Sequence, residues 1–178
     1  KSLVCFADTD STNIQAKLLA EQNAPDGTLV CSDQQTKGRG RRGRAWDSPP
    51  GEAIYMSLLL RPDIHPEHAS MLTLVMGMAV ADAINELMGG ESAGIKWPND
   101  VVLKGKKVSG TLTEMSTEMD CIHYVVIGTG INVNTQKFPK ELDQATSLRL
   151  AAGHNFRRAE LIALCMKYFE KYYALFER

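Results

Sequence analysis

Five positive side chains fall within the eight residues from Lys37 to Arg44, in the stretch QTKGRGRRGRAW that runs from Gln35 to Trp46. Guanidinium forks at that density are suited to carboxylate and phosphate oxygens, and the interleaved glycines let a backbone approach such a ligand closely. The chain as a whole is not a polyanion binder, because 20 Lys and Arg stand against 21 Asp and Glu. A local positive site in a nearly neutral protein points to a small anionic ligand before a long nucleic acid. Three further pieces carry polar or glycine-rich patterns that chemistry could use. They are DSTN at Asp10 to Asn13, KWPNDV at Lys96 to Val101 followed by KKVSGTLTE, and GTGINVN at Gly128 to Asn134.

Other chemistries have little support. The cysteines at 5, 31, 121 and 165 form no Cys-x-x-Cys pair and read as buried thiols of a reducing cytosol. His65 and His68 flank Pro66 at a helix start, a solvent-facing position. The longest apolar run, Met71 to Met88, is interrupted by Asp82, Asn85 and Glu86, as in an amphipathic core helix. No secretory pattern opens the sequence, so a soluble, cytoplasmic protein without membrane attachment is expected.

The elements that must position these residues are legible in outline. Strands are expected at Leu3 to Ala7, Thr28 to Ser32 and Ala53 to Leu60, with a helix after the cap candidates Ser11 and Thr12. The basic loop is therefore pinned between two strands. A helix from about Pro66 to Met88 follows, then short strands near Gly94 to Trp97 and Val101 to Lys104, with KGKK as a tight turn. Val108 to Ser116 pairs with Ile122 to Ile127, GTGINVN interrupts regular structure, Thr146 to Leu150 is ambiguous, and a last helix covers Arg157 to Phe176. Hairpins mixed with helices define an α+β fold: a mixed, largely antiparallel sheet with helices on one face, formed by a single domain over residues 1–178.

In this order and at this spacing the four pieces resemble the catalytic domain of biotin protein ligases, and ATSLRLAAG at Ala145 to Gly153 is similar to the bacterial branch of that family. The resemblance covers nearly the whole chain. It implies the biotin and lipoate ligase fold and an ATP-dependent reaction in which biotin becomes biotinyl-5'-AMP and is passed to a lysine of a biotin carboxyl carrier protein. It places the biotin site at Ser11, Thr12, Gln35, Gly38, Arg39, Gly40, Arg41, Trp46, Lys107, Gly110, Leu112, Gly128 and Gly130. The nucleotide falls to Arg39, Arg41, Arg44, Lys96, Asn99 and Asn132, and the chemistry to Arg41, Lys107 and Asp100, with Asp100 also the candidate for Mg²⁺.

Plainer roles compete at several positions: a helix cap for Ser11 and Thr12, a core side chain for Trp46, a turn aspartate for Asp100. Lys107 raises a conflict, since strict alternation puts it on the strand face opposite Gly110 and Leu112. It reaches their ligand only from a twisted or bulged strand start. Family members commonly add a small β-barrel domain after the catalytic domain, and many bacterial ones a DNA-binding helix-turn-helix before it. Neither is in this sequence, so DNA binding is not expected; homodimer formation stays open. Two rivals remain: a lipoate or octanoate ligase or transferase of the same fold, and an RNA-binding module built on the Arg-Gly loop, which lacks interleaved aromatics for base stacking.

Overall fold

Alternation of apolar residues along Ala53–Leu60 sets the architecture. Ile54, Met56, Leu58 and Leu60 join one buried cluster, whereas Leu59 joins another with Val30 and Val126, so both faces of the central strands are covered. In the computed structural model, which describes residues 2–90 and 92–177, the elements follow in the order β1 (Ser2–Thr9), α1 (Thr12–Glu21), β2 (Thr28–Gln35), β3 (Ala53–Leu60), α2 (Leu72–Met88), β4 (Ala93–Lys96) and β5 (Asp100–Leu103). Then come β6 (Lys106–Glu118), β7 (Cys121–Asn132), α3 (Leu148–Ala152) and α4 (Arg158–Phe176). Seven strands form one sheet in the order β1, β2, β3, β7, β6, β5, β4, parallel between β1 and β2 and antiparallel elsewhere. The mixed, largely antiparallel sheet is as expected.

The helices are not confined to one face. Helices α2 and α4 pack on the face of Met56 and Ile127, whereas Ala16 and Ala20 of α1 pack on the opposite face against Val30, Leu59 and Val126. The reason is connective: parallel β1 and β2 need a crossover, and α1 is that crossover, lying over the strands it joins. Pro66–Met88 is long and apolar enough to cross a membrane by length and composition; here Val75, Met76, Ala79, Val80 and Ile84 are buried in the core.

Two strand boundaries differ from expectation in ways that matter. Strand β7 runs unbroken through Gly128 and Gly130 to Asn132, so GTGIN is sheet and not an interruption. The run from Lys106 begins straight after a two-residue hairpin turn, Lys104 (φ 51°) and Gly105 (φ 81°), both left-handed as that turn demands. Ser147 resolves the ambiguous segment: its Oγ accepts from Leu150 N at 3.1 Å and caps α3. The cysteines depart from the expected burial, since only Cys165 is fully buried and Cys5 and Cys121 are exposed.

Candidate active site

The floor of the candidate site is a set of register rows on the α1 face of the sheet. Tyr55, Gly130, Gly110 and Asp100 lie side by side across β3, β7, β6 and β5, and Ser57, Gly128 and Leu112 form the next row. Glycines here keep the floor low. Above it the basic loop folds into a small hairpin: Arg39 bridges Ala45, Gly40 N donates to Arg44 O at 2.7 Å, and Trp46 N donates to Gly38 O at 2.9 Å. Gly38 has no room for a side chain, because a Cβ would stand 2.2 Å from Trp46 O.

Lys107 reaches the floor by a bulge. Val101 pairs with Ser109 but Val102 pairs with Lys107, leaving Val108 as an extra residue turned into the apolar core. The bulge reverses the alternation, and the Lys107 ammonium comes within 3.3 Å of where a Gly110 Cβ would stand. Its Nζ is 2.8 Å from Asp100 Oδ1 and 5.4 Å from the centroid of the Trp46 ring. The Asp100 oxygen is buried and has this charge partner but no aligned hydrogen-bond donor. The conflict raised by the sequence is thus settled in favour of a bulged start.

At the other end, α1 presents its N-terminus. Ser11 stands at the N-cap position but its side chain makes no cap bond; Gln35 Oε1 instead accepts from Thr12 N at 2.9 Å and lies 3.2 Å from Thr12 Oγ1. Gln35 Nε2 donates to Ser48 Oγ at 3.0 Å. Ser57 Oγ lies 2.8 Å from Thr12 Oγ1 and 2.6 Å from Asn13 Oδ1, so its one proton can serve either. Asn13 Nδ2 donates to Glu114 Oε2 at 2.8 Å. Burial pushes the Glu114 carboxyl up, but the hydrogen bonds from Lys17 and Asn13 and the charges of Lys17 and Arg39 outweigh it and hold it below the usual range.

Among the expected site residues, Ser11, Thr12, Gln35, Arg39, Gly40, Arg41, Trp46, Asn99, Lys107, Gly110, Leu112, Gly128 and Gly130 line one cavity. Gly38 and Asp100 are not part of its lining but contact residues that are, Trp46 and Lys107 respectively. Arg44, Lys96 and Asn132 are not brought into it. Arg44 is exposed and serves the loop through its backbone carbonyl; Lys96 is exposed on the edge strand opposite Asp100; Asn132 Nδ2 donates to Thr146 O at 3.1 Å. Arg41 Nη1 donates to Asn99 Oδ1 at 2.9 Å, and among the described residues it has no carboxylate partner. Its charge is free for a ligand. Asn13, Tyr55, Thr111 and Thr129 also line the cavity and were not expected.

The space left is small. Trp46 lies on the glycine floor, with indole atoms 2.6 to 2.9 Å from where Cβ atoms of Gly130 and Gly110 would stand, and a cavity of about 60 Å³ remains. A wider cavity of about 420 Å³ adjoins the first, sharing Arg41, Asn99, Thr111 and Leu112 and lined by Met71, Leu74, Trp97 and Met115. Asp100 is a lone carboxylate, and no group of three His, Cys, Asp or Glu converges among the described residues. That donor set fits a Mg²⁺ carried on nucleotide phosphates, not one caged by protein.

Gly128 tests the packing directly. A Cβ there would stand 2.0 Å from Asn13 Oδ1, so the glycine makes room for the asparagine. Gly128→Ala is expected to cost about 1 to 3 kcal/mol of stability by overpacking. Adding Asn13→Ala should recover part of that loss in chemical denaturation; simple additivity would show that the two do not share this space.

A basic hairpin thus lies over a glycine floor on one face of the mixed sheet, and comparison with known proteins gives the family. Residues 4–132 match the model of the biotin/lipoate A/B protein ligase family, and the chain belongs to that family. It is 50% identical over 166 residues to the bifunctional ligase/repressor BirA of Bacillus subtilis, covering 92% of this chain and 51% of that protein. With the biotin--[acetyl-CoA-carboxylase] ligase of Mycobacterium tuberculosis it shares 37% identity over 153 residues, 83% of this chain and 55% of the relative. The chain spans about half the length of these curated relatives. Among solved structures, the biotin protein ligase of Aquifex aeolicus in complex with biotin and ATP superposes with a TM-score of 0.86 at 37% identity, covering 99% of this chain and 72% of that one.

Proposed function

We infer that this chain is the catalytic part of a cytoplasmic biotin--[biotin carboxyl-carrier protein] ligase, using ATP to activate biotin and transferring it to a lysine of the carrier protein. The observation that carries this reading is the bulge at Val108, which turns Lys107 onto the glycine floor within reach of Asp100 and into the cavity that Arg41 also lines. In the first step a biotin carboxylate oxygen attacks the α-phosphorus of ATP, a P–O bond to the leaving pyrophosphate breaks, and a mixed anhydride remains. Carboxylate and phosphate charges ~4 Å apart repel by about 4 kcal/mol at an effective dielectric of about 20. Lys107 and Arg41 supply the opposing charge at that junction. Mg²⁺ brought on the phosphates would add to it, next to Asp100 and Asn99.

In the second step the carrier amine attacks the acyl carbon, AMP leaves, and a proton must be lost. A free lysine with pKa ~10.4 costs about 4.6 kcal/mol to deprotonate at pH 7, and Asp100 is the carboxylate to which this reading gives that proton. The wider cavity beside Arg41 and Asn99 gives the acceptor a path to the anhydride. Thr12, Gln35 and Ser11 suit a neutral ureido ring that both donates and accepts. Titration calorimetry with biotin, lipoate and a short RNA tests the reading. Biotin alone is expected to bind, micromolar or tighter; binding of lipoate or RNA instead would replace it with one of the rivals.

A further inference from the structure

Glu114 is 101 residues from Asn13 in sequence and 75 from Arg39, yet it touches both, and no part of the acyl-transfer chemistry above uses it. Its two oxygens are divided. Oε2 accepts from Asn13 Nδ2 at 2.8 Å, holding the carboxamide whose other end packs on Gly128 and meets Ser57. Oε1 lies 2.7 Å from Lys17 Nζ and 3.3 Å from Arg39 Nη1, at the root of the basic hairpin. One carboxylate, 20% exposed, thus joins the floor of the pocket to the loop that covers it.

We propose that Glu114 is a positioning residue that couples lid closure to the pocket floor, fastening Arg39 when Asn13 is seated and so slowing release of the bound acid and its adenylate. The proposal rests on the biotin ligase reading. The glycines of the hairpin leave its closed form with a high ordering cost, so a closed lid needs a fastening on each side. Arg41 to Asn99 is the fastening on the β5 side. Arg39 to Glu114 is the one on the α1 side. Unlike Arg41, Arg39 has its charge met by a carboxylate, which suits an anchor better than a group kept for the ligand.

The test is the release rate of labelled biotin, followed by chase with unlabelled biotin, together with adenylate turnover at saturating biotin and ATP. Glu114→Gln keeps the shape and an oxygen for Asn13 but removes the charge facing Arg39. It is expected to speed release about tenfold, the scale of one charge-assisted contact, while turnover changes less than about threefold. Arg39→Met should speed release to a similar degree, and the double variant should release no faster than the faster single one. Release at the wild-type rate by Glu114→Gln, or effects of the two substitutions that multiply, would overturn the proposal. A wild-type chain that binds no biotin would instead bring down the functional reading, so the two failures are distinguishable.

Discussion

Replacing Lys107 by alanine is expected to slow adenylate formation by on the order of 10² to 10³, the usual loss on removing one group aimed at developing charge. Biotin affinity should fall by less than about tenfold, because the ammonium matters most where carboxylate meets phosphate. The structure gives that prediction its geometry. Lys107 is fixed from below by the bulge, from the side by Asp100 at 2.8 Å, and from above by the Trp46 ring. Its side chain is 36% exposed, so the substitution leaves no buried cavity and the fold should survive. Single-turnover kinetics with a separate biotin titration distinguishes the possibilities; equal losses in both would assign Lys107 to ground-state binding only.

Arg41→Gly should separate chemistry from retention. The substitution removes the bond to Asn99 and adds a fourth glycine to the run from Gly38 to Gly43, which raises the cost of ordering the loop by about 0.5 to 1 kcal/mol beyond the lost contact. A hydrogen bond to a charged group contributes about 1.5 to 3 kcal/mol, and this one is exposed, so the low end applies. The two together, about 2 to 2.5 kcal/mol, correspond to roughly thirty- to sixtyfold faster escape of the reactive anhydride. Adenylation slows less, since Lys107 remains in place. The expected sign is biotin on lysines of a bystander protein added at high concentration, read by streptavidin blot at matched adenylation rates. No excess labelling by the variant would mean that the loop does not retain the intermediate.

Local patterns carried much of this in the sequence and long-range ones did not. The basic hairpin was legible because its charges and glycines are contiguous between two strands. The bulge at Val108 could be anticipated because alternation and the role of Lys107 contradicted one another. GTGIN was harder to place, although Gly128, Gly130 and Asn132 sit at the two-residue period of a strand, with Thr129 and Ile131 between them. Glycine in a sequence reads as a breaker, whereas here one glycine makes room for Asn13 and the other for Trp46. Asn13, Ser57 and Glu114 are not legible as a group because only the packing of α1 on the sheet brings residues 44 to 101 positions apart into hydrogen-bond contact. Arg44, Lys96 and Asn132 lie outside the lining of the cavity: charge or amide type is legible in a sequence, but the direction of a side chain on an exposed turn or an edge strand is not.

Pyrophosphate release measured with and without biotin, with mass detection of the acyl-adenylate, tests the central claim most directly. Release that requires biotin, accompanied by biotinyl-5'-AMP held on the protein, is the expected result. Pyrophosphate release independent of biotin, or no adenylate at any biotin concentration, would contradict it.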